Sequence, residues 1–262
     1  MVLVMNVGNS NTVMGVYRGD DLAAYWRIAS NKGRTADEFG MLVLDLFDRG
    51  GFACADVTDI VIASVVPNMM YPLEHMCRKY FHIDAMVLGV GVKTGVNIKV
   101  DNPREVGSDQ IASSAGAIAH YGCPVIVADF GTATTICAVN GRHEYIGCAI
   151  APGVKISMDA LYQHTAQLPR VELEIPARYI GKNTVESMQS GIVCGVVGQA
   201  IYLIRKMKEE LAEPDIKVVA TGGLSRLIAP HVPDIDLTDP LLALKGLKAV
   251  YDRSRREDKR NG

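Results

Sequence analysis

Val2-Leu3-Val4-Met5-Asn6-Val7-Gly8-Asn9-Ser10-Asn11-Thr12 sets an unbroken apolar run against a turn-rich hexapeptide and then starts a second apolar run. The pattern predicts a buried strand over Val2–Met5, a tight turn over Asn6–Asn11 and a returning strand over Thr12–Tyr17. Arg18-Gly19-Asp20-Asp21 reads as the next hairpin turn, with a third strand over Leu22–Ile28. Thr35–Arg49 carries apolar residues at helical spacing, and Thr35 with Glu38 is placed as a capping box. Asp59–Val65 is another buried strand, stopped by Pro67; Met69–Tyr80 reads as helix and Ala85–Gly89 as a short strand.

The same order then restarts. Val125–Asp129 is a strand followed by Gly131-Thr132-Ala133-Thr134, with strands Thr135–Asn140 and Glu144–Ile150 around Gly141. Helices are expected at Ser157–His164 and Thr184–Leu211, then a strand at Lys217–Ala220 ending in Thr221-Gly222-Gly223. A short helix at Ser225–Ala229 and a closing helix at Leu241–Arg253 complete the chain. Hairpins followed by crossover helices predict an α/β fold of two repeated halves, each a mixed sheet with helices outside. The expected domains are 1–118 and 119–262, with a ligand cleft between the halves.

Composition fits that expectation. The chain has 262 residues, 48% hydrophobic and 21% charged, enough for two modest domains. A formal net charge of −2 gives no global field to draw in nucleic acid or an anionic membrane. No stretch reads as the ~20 apolar residues of a membrane helix, and Met1–Met5 is too short for a signal segment. The basic run Arg253-Ser254-Arg255-Arg256, with Lys259 and Arg260 behind it, reads as a solvated, frayed tail. Cys54, Cys77, Cys123, Cys137, Cys148 and Cys194 form no CxxC pair and read as reduced thiols of a cytoplasmic protein.

Four motifs carry the candidate chemistry. Asn6–Asn11 and Asp129–Thr135 each follow a buried strand and combine a Gly with hydroxyl and amide groups, which suits them to aim backbone N–H groups at anionic oxygens. One such turn is as readily a plain hairpin connection; two at the same point of a repeat point to a polyphosphate. Neither is a GxxxxGK[ST] loop or a GxGxxG fingerprint. Thr221-Gly222-Gly223 allows close backbone approach, for a flat base or for a plain strand-to-helix turn. Asp109, in the first turn of the helix that Asn102–Gln110 opens, is either a helix cap or a general base for a substrate hydroxyl.

The order of Asn6–Ser10, Gly107–Gln110, Asp129–Thr135, Gly147–Gly153, Leu168-Pro169-Arg170, Asn183–Gly191 and Thr221–Gly223 resembles the type III pantothenate kinases from residue 2 to about residue 250. The resemblance implies two actin-like (ribonuclease H-like) domains, a homodimer, and phosphorylation of pantothenate by ATP in coenzyme A biosynthesis. It also implies Mg²⁺ and a monovalent cation, K⁺ or NH₄⁺. Position by position, it implies that Asn6, Gly8, Asn9, Ser10, Asn11, Thr12 and Thr132 meet ATP and that Asp129 is the cation ligand. Val100, Gly107, Ser108, Asp109, Gln110 and Thr184 correspond to the substrate contacts, with Asp109 as the base and Thr184 reaching across the dimer.

Several positions depart from the family pattern: Asn6 stands for Asp, Ser10 for Thr, Val100 for Tyr, Gln110 for Arg and Cys148 for Gly. Asn6 offers a divalent cation a neutral oxygen, and Gln110 offers a carboxylate only neutral hydrogen bonds. These changes predict a pantothenate kinase of reduced activity. The alternatives are a non-catalytic nucleotide-binding or regulatory paralogue, or a kinase for another small hydroxylated substrate.

Overall fold

The computed structural model describes residues 1–89 and 91–261. In chain order the strands are β1 (Val2–Val7), β2 (Asn11–Arg18), β3 (Asp21–Ala29), β4 (Asp59–Ser64), β5 (Met86–Val87), β6 (Asn97–Ile98), β7 (Val125–Phe130), β8 (Ala133–Val139), β9 (Glu144–Pro152), β10 (Lys217–Thr221) and β11 (Leu237–Thr238). The α-helices are α1 (Ala36–Gly50), α2 (Pro67–Met76), α3 (Ser108–Tyr121), α4 (Val154–His164), α5 (Thr184–Gln189), α6 (Gly195–Leu211), α7 (Ser225–Ile228) and α8 (Leu242–Asn261). Wider π turns extend α2 to Phe81 and join α5 to α6. Every long expected element is present. The sequence reading missed β6 and β11, each two residues long and defined only by a distant partner.

The chain divides into two units. One comprises Met1–Val96, Asn102–Ala119 and Ala243–Gly262; the other comprises Asn97–Asp101 and His120–Leu242. The sequence reading runs a second domain unbroken from 119 to 262, whereas α8 from Ala243 onward packs with the first unit.

The first unit holds a five-stranded sheet in the order β3-β2-β1-β4-β5. β1 pairs antiparallel with β2 and parallel with β4, so it is central and buried on both faces, as its continuous apolar run requires. Leu3, Met5 and Val7 pack with Phe39, Val43 and Phe47 of α1 and with Leu73 and Met76 of α2. Thr35 caps α1 as expected: its hydroxyl accepts from Glu38 N at 3.2 Å, and its own N–H donates to Glu38 Oε2 at 2.7 Å. On the opposite face, beside Val4, Gly15 leaves room for Leu244 of α8.

α8 is held by charge as well as by burial. Lys248, itself buried, donates to Asp252 at 2.6 Å and to Asp20 in the β2–β3 turn at 3.2 Å. The basic run is therefore no frayed tail: Arg253–Arg256 continues α8, and Arg255 donates to Asp59 at the start of β4. The side chains of Lys259 and Arg260 lie outside the described residues.

The second unit repeats the plan in a six-stranded sheet ordered β11-β10-β7-β8-β9-β6. β7 pairs antiparallel with β8 and parallel with β10, as β1 does with β2 and β4. Ile126, Ala128, Phe130 and Ile136 form the core with Val154 of α4, Val196, Ala200 and Ile204 of α6, and Ile228 of α7. By length and hydropathy alone the helical run Thr184–Leu211 matches a membrane span, a test that the core helix of a globular protein also passes. Its inner face is nevertheless built into this core, as a buried helix of a globular protein requires.

The α3–α8 crossing offers a direct test of the packing. A Cβ on Gly246 would fall on the Ala112 carbonyl and crowd Gly116 N. Overpacking of this kind costs about 1–3 kcal/mol, and each kcal/mol shifts the melting temperature of a chain this size by about 2–4 °C. Gly246→Ala should therefore lower the melting temperature by several degrees. Gly198→Ala in α6, where a Cβ meets open space, should hold or raise it.

Candidate active site

Asn6 and Asp129 occupy the same place in the two repeats: each is the fifth residue of a six-residue central strand. Two residues on, Gly8 N–H donates to Asn11 O at 3.0 Å and Gly131 N–H donates to Ala133 O at 3.0 Å, closing two similar turns. In the first, Asn9, Ser10 and Asn11 are exposed, and Ser30 N–H donates to Ser10 O at 3.0 Å. Thr12 is fully buried, and its Oγ1 lies 2.9 Å from Ser30 Oγ, where it fastens the hairpin to the end of β3. The Asn6 Oδ1 is buried without a hydrogen-bond partner. Leaving such an oxygen unpaired costs about 1–3 kcal/mol, so it is a natural acceptor for a bound donor or cation.

The Asp109 segment is anchored beside that turn. Val7 ends β1 in register with Ser64, the last residue of β4, and Val65 N–H donates to Val7 O at 3.1 Å. Ser108 Oγ donates to Ser64 O at 2.9 Å, which pins the first turn of α3 to the same sheet edge. The structure thus gathers Asn6–Thr12 and Gly107–Gln110 at the carboxyl ends of adjacent parallel strands. Asp109 is half-buried, and its Oδ1 accepts from Gln110 N at 2.8 Å. Burial pushes its carboxyl above the ordinary range, against the opposing pull of the Gln110 and Asp109 backbone N–H groups. A partly desolvated carboxylate of this kind is a stronger base than one in water.

The remaining site residues lie in the second unit. Asp129 is flanked in register by Thr135 on β8 and Thr221 on β10, so a carboxylate and two threonines share one face of the sheet. Gly222, at φ 91°, follows this row; a Cβ there would strike the Asp129 carboxylate and the Phe130 backbone. Leu224 N–H closes the turn on Phe130 O at 3.0 Å. Within this unit the first glycine of Thr221-Gly222-Gly223 therefore makes room for Asp129, a use the sequence pattern did not reveal. Thr132 is exposed in its turn. Val100 follows β6 and is half-buried, next to Lys99, whose N–H donates to Tyr145 O at 2.8 Å. Thr184 opens α5 and is exposed, after an Asn183 cap whose Oδ1 accepts from Glu186 N at 2.9 Å.

The donor sets separate the two implied metals. The oxygen-only row Thr221–Asp129–Thr135, with its single carboxylate, suits a monovalent cation. Among the described residues no group of three or more His, Cys, Asp or Glu could hold a metal, so these residues form no acidic cage of the kind a hard divalent cation prefers. Such an ion fits only as the companion of phosphate oxygens, with Asn6 Oδ1 adding a neutral donor.

Comparison with known proteins identifies the family and the fold. The family described as type III pantothenate kinase matches residues 2–206. A type III pantothenate kinase of Halalkalibacterium halodurans is 50% identical over 254 residues, covering 97% of this chain and all of that one. One from a Geobacillus species (strain WCH70) is 50% identical, covering 97% and 98%. Among solved structures, a protein assigned to the Baf family of transcriptional activators from Campylobacter jejuni superposes with a TM-score of 0.61 at 18% identity, covering 97% and 99%. The activator of 2-hydroxyisocaproyl-CoA dehydratase from Clostridium difficile, with bound ADPNP, gives 0.53 at 11% identity, covering 98% and 97%. At such low identity these structures speak for the fold alone, which is that of the actin-like ATPases and sugar kinases.

The burial of Asp109 has a sign that stability measurements can read. A carboxyl whose folded pKa is raised costs nothing below its unfolded value, about pH 4, and costs stability fully once pH passes its folded value. Asp109→Asn should therefore raise the melting temperature at pH 7 to 8, and the gain should fade as the pH falls toward 4.

Proposed function

The chain belongs to the type III pantothenate kinase family, phosphotransferases acting on a small molecule, pantothenate, in coenzyme A biosynthesis, and we propose that it performs this transfer from ATP with Asp109 as the general base. The observation that carries the assignment is the Asp109 carboxylate, burial-raised and anchored through Ser108 to Ser64 at the sheet edge that also bears the Asn6–Asn11 turn. The substrate hydroxyl gives its proton to Asp109 as its oxygen forms a bond to the γ-phosphorus, and the bridging P–O bond breaks to release ADP.

In the first unit the exposed Asn9, Ser10 and Asn11 would meet the phosphates on a turn that Gly8 closes and buried Thr12 keeps in shape, and in the second unit exposed Thr132 would offer a hydroxyl. Mg²⁺ carried by ATP would spread the charge of the transferring group, with Asn6 Oδ1 as a neutral ligand. Asp129, with Thr135 and Thr221, would hold K⁺ or NH₄⁺.

In the first unit Gly107, Ser108 and Gln110 would meet pantothenate, and in the second Val100 would offer an apolar side chain. A neutral Gln110 in place of a guanidinium weakens the grip on a carboxylate by about 1–2 kcal/mol, or about tenfold in affinity. Gln110 and Val100 equally favour a hydroxylated substrate without a carboxylate, which is the second reading.

A homodimer completes the proposal. Tyr179 is 76% exposed and Ile180 85%, and Ile156, Leu161 and Tyr162 of α4 are also exposed, all within the unit that carries Thr184. Apolar exposure on this scale supports a second copy as its cover, from which Thr184 would reach substrate. That all six cysteines are thiols supports a cytoplasmic setting.

Pantothenate-dependent ADP release with Mg²⁺ and K⁺ present is the deciding assay. Asp109→Asn should lower kcat about 10²–10⁴-fold. In the parent, the acid limb of the rate profile should lie above the pH at which an ordinary aspartate titrates. Asn6→Asp combined with Gln110→Arg should raise kcat/KM about tenfold or more. A folded parent that ignores pantothenate yet turns over ATP with another small alcohol would establish the second reading.

A further inference from the structure

β8 and β9 set Cys137 directly opposite Cys148. Opposed residues of an antiparallel ladder hold their Cα atoms about 4.5–5.5 Å apart, inside the roughly 4.4–6.8 Å range that a disulfide spans. Both side chains leave the same face of the sheet, which directs the two sulfurs into the same space. They already interact: a hydrogen bond with Cys148, and after it burial, holds the Cys137 thiol well above its ordinary range. Tyr145 Oη donates to Cys137 Sγ at 3.6 Å and shields it further. Cys137 is 3% exposed, whereas Cys148 is open to solvent. One thiol can thus be reached from outside, and the other waits behind it. Cys148 is also where the family motif has Gly, so the pair is created by one of the departures from that pattern.

We propose that Cys137 and Cys148 are a two-electron modification site: a hydroperoxide oxidises the exposed Cys148, and Cys137 resolves it into a cross-strand disulfide. The Cys148 thiolate attacks the peroxide, so that an S–O bond forms and the O–O bond breaks. The leaving oxygen takes up a proton as water or an alcohol. The Cys137 sulfur then attacks the sulfur of the Cys148 sulfenic acid; the S–S bond forms, the S–O bond breaks and the hydroxyl departs as water with the Cys137 proton. Two thiols lose two electrons and two protons, and one hydroperoxide is reduced. The link lies on the sheet face that carries Asp129: Cys137 is two residues along β8 from Thr135, the register partner of Asp129. It does not depend on how the kinase residues are assigned.

The test uses the full chain, reduced, desalted and exposed to hydrogen peroxide. Free thiols are then capped with N-ethylmaleimide before tryptic digestion. Cleavage after Arg142 separates the two cysteines, so a linked pair appears as one joined species two hydrogens lighter than its separate peptides. That species should dominate and should vanish on treatment with dithiothreitol. Cys123 shares the Cys137 peptide, so Cys123→Ser must leave the link intact. Cys137→Ser should stop Cys148 at a sulfenic acid that dimedone captures, and Cys148→Ser should leave Cys137 as a thiol. The proposal is overturned if peroxide leaves both cysteines fully alkylated by the maleimide. It is overturned equally if Cys148 runs on to sulfinic acid beside an intact Cys137 thiol, or if it links to Cys148 of a second chain.

Discussion

The parallel pairing of β1 with β4, and of β7 with β10, is the constraint on which the rest depends. A strand paired on both edges and packed on both faces can meet solvent only at its ends. Its backbone is then rigid where the last residues emerge, and Asn6 and Asp129 stand at those points. Polar side chains one step from a strand end are carried on the stiffest part of each unit and still face a loop-lined edge. The same pairing brings Ser64 alongside Val7, which lets Ser108 tie the helix that carries Asp109 to the sheet edge bearing the Asn6–Asn11 turn. The placement of the Asp109 carboxylate thus rests on the β1–β4 ladder and one hydroxyl.

Much of this was legible from residue order. The continuous apolar runs Val2–Met5 and Val125–Asp129 announce strands buried on both faces, and Thr35 with Glu38 announces a helix start that the structure reproduces atom for atom. Asp109 could be placed in a first helical turn because Pro103 and Gly107 punctuate the run before it. Other features depend on partners far away in sequence. Two-residue β6 and β11 carry no periodicity of their own and exist through β9 and β10. Arg255 looks like a tail residue until Asp59 is brought beside it, and Gly222 looks like a turn residue until Asp129 needs its space. Thr12, grouped by its motif with phosphate-facing residues, turns inward to Ser30 because the register of β2 alternates faces.

The departures from the family pattern also differ in physical kind. Asn6 retains an oxygen at its position and loses only charge, so the geometry of the strand end is kept. Gln110 keeps its backbone N–H on Asp109, and that bond does not depend on the side chain. Both changes therefore touch what a ligand would feel and leave the scaffold's own bonds in place. Cys148 is different: it adds a side chain opposite another sulfur and so brings new chemistry to a face that would otherwise be smooth.

The chain passes between the two units at 96/97, 101/102, 119/120 and 242/243, and α8 closes over a face of the first sheet that Val4 and Gly15 present. During synthesis the second unit is therefore complete as soon as Leu242 has left the ribosome, while the first still lacks Leu244 and Lys248. The half of the protein that begins first is finished last. Until α8 emerges, the face that Leu244 covers beside Val4 and Gly15 stays open, a window in which the chain is exposed to aggregation.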